Sequence, residues 1–150
     1  MGTCIFVGHV LLRENVESKI RAFISYLITH EGYNTFYVGN YGDFDYQVRK
    51  TLKDLKKHYP HIQYRVVLAR PPHEGEKADL STYNTIYPEG MALVSPRYAI
   101  AKCNAWMIRR SDCVVSYITH HGNVENIVIK AKSMGKTVYN LPDIFSYLEK

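Results

Sequence analysis

Two patterns of apolar positions alternate along the chain: continuous apolar runs and segments in which apolar residues recur at helical spacing. The continuous runs are typical of buried parallel strands, and they predict strands at Thr3–Val7, Asn34–Val38, Tyr64–Ala69, Cys113–Ile118 and Thr137–Leu141. Segments with helical spacing follow these runs in turn, as Ile20, Ile24 and Leu27 follow the first. This succession predicts an α/β fold with a mainly parallel, five-stranded sheet and helices on both faces.

Capping residues and apolar spacing suggest how these helices begin and which side they bury. Asp43 or Asp45 is placed to cap the second helix, and Asp143 is placed to cap a final helix over Ile144–Glu149. The helix that starts at Arg97 is predicted to have an inner face made of Ile100, Asn104, Met107 and Ile108.

The segment Arg70–Pro96 interrupts the alternation of strands and helices. It is rich in proline and glycine and has only short apolar pieces. A connection of this length inside a compact domain is usually functional, often a lid or a binding loop. Tyr83 and Tyr87 suit two roles equally: they either cover the base of a ligand or pack the loop onto the domain.

The turn Thr119–Asn123 joins the fourth predicted strand to a helix, and the backbone N–H groups at such a helix start attract anions. We expect the strand order 3-2-1-4-5, in which the winding direction reverses between the first and fourth strands. Gly8 and His9 would then lie beside this turn, with Gly39–Gly42 one strand away. The three loops are expected to line one crevice at the carboxyl ends of the strands.

These loops supply the candidate ligand-binding residues. Glycine lets the backbone approach a phosphate or ribose closely, and the glycines are Gly8, Gly39, Gly42 and Gly122. Histidine donates hydrogen bonds and carries charge near neutral pH, and His9, His120 and His121 accompany Thr119. Asn40, Asp43 and Asn123 suit sugar hydroxyls or a base edge. Any one loop is better explained as a tight turn, whereas the combination of three favours ligand binding.

Composition agrees with a single domain over residues 1–150. Hydrophobic residues make up 46% of the chain and charged residues 22%, a balance that disordered chains lack. No apolar run is long enough for a membrane span, so we expect a cytoplasmic protein without a membrane partner. The net charge of +5 favours an anionic partner, although the scattered Lys and Arg residues make nucleic acid an unlikely one. Three cysteines in or beside apolar runs, Cys4, Cys103 and Cys113, predict buried reduced thiols.

Several common chemistries are not indicated by the sequence. It has neither G-x-x-x-x-G-K-[ST] nor G-x-G-x-x-G, which disfavours a P-loop nucleotidase and a dinucleotide dehydrogenase. No Ser-His-Asp or Cys-His spacing suggests a nucleophile. A zinc site made of His9, His120 and His121 is disfavoured because adjacent histidines rarely face one ion. We therefore expect neither a metal nor another cofactor.

Several longer motifs extend over nearly the whole chain. They are F-V-G-H at Phe6–His9, F-Y-V-G-N-Y-G-D-F-D at Phe36–Asp45, P-E-G at Pro88–Gly90, S-P-R-Y-A-I at Ser95–Ile100 and S-D-C-V-V-S-Y-I-T-H at Ser111–His120. With these motifs the sequence resembles the SLOG superfamily (the Smf/DprA and lonely-guy proteins), most closely its small YpsA-like members. The resemblance implies a Rossmann-like three-layer sandwich and a nucleotide-type ligand.

Lonely-guy proteins remove the base from nucleoside monophosphates, using an Arg before the key strand and P-G-G-x-G-T-x-x-E after it. Arg97 resembles that Arg. The second motif is altered, since its Pro and its Gly pair are replaced by Thr119, His120 and His121. With one residue deleted from the loop, the Glu of the motif falls on Asn126, beside Glu125.

We consider two main functions. The first is binding of a nucleotide or nucleotide-derived ligand in the crevice, with Arg97 holding a phosphate. The second is a lonely-guy-like nucleoside 5′-monophosphate phosphoribohydrolase, in which Glu125 or Asp43 serves the attacking water. A nucleic-acid-associated role, as in the DNA-processing branch, is a third and weaker hypothesis. The resemblance also suggests a homodimer, as does the large apolar surface of Tyr98, Trp106 and Met107.

Overall fold

Six parallel strands form the centre of the protein, as described by a computed structural model for residues 2–148. The strands are β1 (Thr3–Gly8), β2 (Thr35–Gly39), β3 (Gln63–Val67), β4 (Thr85–Ile86), β5 (Cys113–Tyr117) and β6 (Thr137–Asn140). The helices are α1 (Glu17–Thr29), α2 (Asp43–His58), α3 (Glu74–Leu80), α4 (Ala99–Arg110), α5 (Asn123–Ser133) and α6 (Leu141–Leu148).

The sheet has the order β4-β3-β2-β1-β5-β6, and all its pairings are parallel. The five predicted strands keep their predicted relative order, since β1 pairs with both β2 and β5. The predicted count of five is wrong because β4 lies within the long Arg70–Pro96 segment. With only two residues, β4 is too short to produce a periodic signal.

Two hydrophobic cores cover the two faces of the sheet. On β1, Cys4 and Phe6 point into one core and Ile5 and Val7 into the other. Helices α1, α2 and α6 contribute to the first core, while α4 and α5 contribute to the second. Burial on both faces explains the continuous apolar runs of the strands, and the result is a Rossmann-like three-layer sandwich.

Helix starts differ from the sequence prediction. Gly42 is the N-cap of α2 and Asp43 begins the helix, so neither Asp43 nor Asp45 caps it. The side chain of Asp43 instead accepts a hydrogen bond from the Leu12 N–H at 2.9 Å. The last helix begins at Leu141, directly after β6, rather than at Ile144, and its predicted end at Glu149 lies outside the described residues.

Asp143 lies in the first turn of α6 rather than before it. Its carboxylate accepts a hydrogen bond from the Asn140 side-chain amide at 3.0 Å. The same amide donates a hydrogen bond to the Ile118 carbonyl at 3.1 Å. This second bond holds the end of β5 beside the end of β6.

The buried face of α4 is rotated relative to the prediction. Ala99 and Cys103 are buried together with Met107 and Ile108, whereas Ile100 is 39% exposed. Two of the four predicted inward positions shift by one residue and the other two are kept, so the rotation is smaller than the ~100° of one helical step. Small residues at the inward positions let the helix lie close to the sheet.

The surface proposed for a homodimer is smaller than expected. Met107 is buried, and Trp106 packs edge-to-face against Tyr37 with ring centroids 5.6 Å apart. Only Tyr98 of the three predicted residues is exposed. The homodimer therefore stays a prediction.

The Arg70–Pro96 segment contains α3, β4 and a short 3₁₀ turn at Met91–Leu93. Tyr83 packs against the first core, and the Arg49 guanidinium lies 5.4 Å from its ring centroid. Tyr83 thus holds the segment on the domain.

All three cysteines are free and buried, as predicted. Among residues 2–148, no helix has both the length and the apolarity that a membrane crossing requires.

Gly42 is expected to be essential for the start of α2. Its φ is +99°, and a Cβ there would lie 2.5 Å from the Val10 Cα. Gly42→Ala should lower the free energy of unfolding by about 2 kcal/mol or more, measured by urea denaturation. Gly75→Ala is the matched control, because a Cβ at Gly75 meets nothing within 4 Å and alanine suits the helix. Equal losses in the two variants would contradict this role for Gly42.

Candidate functional site

A cavity of about 1180 Å³ opens at the carboxyl ends of β1, β2 and β3. Gly8, Gly39 and Val67 contribute to its base from the three strand ends. Its walls are the first half of α4, the first half of α5 and part of the segment between β4 and α4. Openings at this edge of a parallel sheet are the usual ligand sites of such folds.

The walls of the cavity combine apolar side chains with amides. The larger apolar residues include Tyr87, Met91, Val94, Ile100, Val124 and Ile127. Amide side chains come from Asn40, Asn104, Asn123 and Asn126. Of the two tyrosines considered for covering a ligand, Tyr87 is at the cavity and Tyr83 is not.

The charged residues of the cavity are mostly cationic. Arg70, Arg97 and Lys130 line it, and Asp45 is the one acidic residue among the described lining residues. Arg70 is held by Glu76, with 2.9 Å between guanidinium nitrogen and carboxylate oxygen. Within residues 2–148, neither Arg97 nor Lys130 has an acidic partner, and Arg97 lies 5.5 Å from the ring centroid of Tyr98. The cavity therefore presents a positive field to a ligand.

Asp45 is buried at the base of this cationic cavity. Burial raises the pKa of its carboxyl group from 3.8 to about 7, and the Tyr41 N–H and the charge of Arg49 oppose the rise. Its Oδ2 accepts the Tyr41 N–H at 3.0 Å. A Cβ at Gly39 would lie 2.9 Å from the same oxygen, so glycine makes room for the carboxyl group.

Asp45 is the functional candidate that the sequence prediction missed. The prediction selected Asp43, which is exposed and lies outside the cavity lining. The sequence pattern could have indicated that Asp45 is buried, because it is three residues before Val48. It therefore falls on the buried helix face that continues through Leu52 and Leu55. A carboxylate on the apolar face of a helix is unusual and indicates a special role.

His9 and His120, which were predicted to bind the ligand, contact each other at the ends of β1 and β5 and do not line the cavity. The rings of His9 and His120 stack with centroids 3.9 Å apart and planes 2° apart. His9 Nε2 accepts the Thr119 N–H at 3.0 Å. Burial and the nearby His120 both lower the pKa of His9, which favours the neutral ring that this hydrogen bond requires.

Glu125 is engaged outside the cavity. His121 Nδ1 lies 2.7 Å from Glu125 Oε2, and this contact raises the pKa of His121. Arg97 and Asn126 line the cavity, but Glu125 does not. The two residues suggested for catalysis, Arg97 and Glu125, are therefore not brought to the same cavity.

The predicted ligand residues divide into two groups. Those that line the cavity are Gly8, Gly39, Asn40, Arg97 and Asn123. Those outside its lining are His9, Gly42, Asp43, Thr119, His120, His121 and Gly122. Across the described part of the chain, no cluster of three or more His, Cys, Asp or Glu side chains is arranged to hold a metal ion.

Comparison with known proteins adds no relative. No protein-family model matches the chain, and no curated protein matches it. Membership of the SLOG superfamily therefore remains a prediction.

Burial of Asp45 predicts a pH-dependent stability. The folded state binds this proton more tightly than the unfolded chain, so the free energy of unfolding falls as the pH rises from about 4 to 7, by up to roughly 4 kcal/mol. Asp45→Asn should be more stable than wild type at pH 8, and the difference should shrink toward pH 4. Urea unfolding across this range measures it. Asp43→Asn, which retains Asp45, should keep the wild-type slope, and an unchanged slope in Asp45→Asn would contradict the assignment.

Proposed function

We propose that the cavity binds a nucleotide or a nucleotide-derived ligand. The observation that carries this proposal is the pair of cations, Arg97 and Lys130, that line an apolar-walled cavity without acidic partners in the described chain. Uncompensated cations at the carboxyl ends of parallel strands suit a phosphate. The resemblance to the SLOG superfamily supports the same class of ligand.

The cavity walls suit the other parts of a nucleotide. Val94, Ile100 and Ile127 offer apolar surface for a base, and Tyr87 offers an aromatic ring. Asn104, Asn123 and Asn126 form no hydrogen bond with the described residues, so their amides are free for sugar hydroxyls or a base edge. A volume of about 1180 Å³ is ample for one nucleotide.

Arg97 is expected to be the principal phosphate contact. Arg97→Ala should weaken binding of a nucleoside monophosphate or ADP-ribose by roughly tenfold to a hundredfold, because a charge-assisted hydrogen bond is lost. Native mass spectrometry identifies the bound nucleotide, and calorimetry measures its affinity. Arg109→Ala is the matched control, since it removes the same charge at the far end of α4. Equal affinities for wild type and Arg97→Ala would reject the assignment.

A second candidate function is hydrolysis of an N-glycosidic bond. It is favoured by the presence of Asp45, with its pKa of about 7, in the same cavity as Arg97. The Asp45 carboxylic acid would give its proton to the departing base as the C1′–N bond breaks. Water would then form the C1′–O bond, and its surplus proton would restore the acid.

Hydrolysis predicts a distinct pattern among the carboxylate variants. Wild-type protein should release free adenine from AMP, detected by chromatography, and Asp45→Asn should abolish release because an amide cannot supply the proton. Glu125→Gln should retain it, since Glu125 lies outside the cavity. Release that persists in Asp45→Asn would remove Asp45 from this role.

A further inference from the structure

We propose that Asp45 binds the ligand as a neutral carboxylic acid and donates a hydrogen bond from its free oxygen to an acceptor atom of the ligand. The inference rests on the proposed function. It makes Asp45 a specificity-determining residue, which selects ligands that carry an acceptor at the base of the cavity, and it couples binding to the uptake of a proton.

The first support is the unequal use of the two carboxyl oxygens. Oδ2 accepts the Tyr41 N–H, whereas Oδ1 forms no hydrogen bond with the described residues. Asp45 lines the cavity, and Oδ1 is not among the fully buried atoms without a partner. One oxygen is therefore held by the protein and the other is left for a ligand.

The second support is that the nearest cation is used elsewhere. Arg49 lies one turn further along α2, but it donates to Asn40 Oδ1 at 2.7 Å and pairs with Asp79 Oδ2 at 3.1 Å. Its guanidinium also lies 4.8 Å from the ring centroid of Tyr46. No Lys, Arg or His in residues 2–148 pairs with Asp45, so its negative form has no direct counter-ion.

The titratable groups around Asp45 come from every neighbouring element. Arg49 lies on the same helix as Asp45, and Tyr41 precedes that helix. Cys103 lies on α4, and burial raises the pKa of its thiol to about 12, so the thiol stays neutral. The cationic groups of the surrounding cavity walls are Arg70, Arg97 and Lys130. In the free protein, the influences that favour the carboxylate are the hydrogen bond from the Tyr41 N–H and the charge of Arg49.

A phosphate-bearing ligand shifts the equilibrium further toward the neutral acid. It neutralises the wall cations and places its own negative charge in the cavity, and both effects favour the neutral acid. Because linkage is reciprocal, a ligand that makes Asp45 take up a proton must bind more weakly as the pH rises above about 7. An ionised Asp45 accepting from a sugar hydroxyl would give the opposite dependence.

AMP and ADP-ribose serve as probes, with calorimetry at pH values from about 6 to 8.5. We expect the affinity of wild type for the bound probe to fall at least about tenfold over this range, with uptake of close to one proton near pH 8, measured from buffers of different ionisation enthalpy. Asp45→Asn keeps a donor on an uncharged side chain. After correction for titration of the probe phosphate, it should bind at all pH values with the affinity of wild type at pH 6.

Asp43→Asn is the control for charge removal in the same helical turn, and it should keep the wild-type pH dependence. A wild-type affinity that is flat with pH, or that rises with it, would overturn the inference while leaving nucleotide binding established. Failure of both probes to bind wild type at any pH would reject the proposed function, and this inference with it.

Discussion

Parallel pairing of β1 with both β2 and β5 is the constraint on which the rest of the structure depends. Because the strands run in one direction, every loop that leaves a strand end emerges at the same edge of the sheet, and the returning helices cover both faces. Alternate side chains such as Phe6 and Val7 are then committed to opposite cores. Only the residues at and beyond the strand ends remain to meet a ligand, and there α2 lies so close that Gly39 must make room for Asp45.

That arrangement leaves a buried carboxyl group in the lining of a cavity that three cations also line. A well-packed apolar residue at position 45 would suit the inner face of α2 better, since burial of an unpaired acid destabilises a fold. The charge of Arg49 relieves only part of this cost, because the hydrogen bonds of its guanidinium go to Asn40 and Asp79. Such local conflicts between stability and chemistry are typical of binding and catalytic sites, where the poised group acts on a ligand rather than on the fold.

The sequence predicted the sheet well because strand burial leaves a strong pattern. A long apolar run such as Cys113–Ile118 indicates burial on both faces, and the predicted order of the five runs is the one expected of a sheet whose winding reverses beside the first strand. Features that depend on packing were harder to predict. Strand β4 pairs through two residues, Thr85 and Ile86, and α4 buries the small Ala99 and Cys103 rather than the more hydrophobic Ile100.

The predicted site was displaced for a related reason. The prediction placed polar residues at the sheet edge where the cavity opens, but the direction of a side chain in a turn is set by its nearest partner. At the ends of β1 and β5 the rings of His9 and His120 stack, and His9 accepts the Thr119 N–H, so these side chains contact each other instead of lining the cavity. The cavity forms over the ends of β1, β2 and β3, where Gly8 and Gly39 make room for Phe44 and Asp45 of α2. The common direction of the strands therefore predicted the edge of the sheet at which the cavity opens, while side-chain pairing selected the loops that line it.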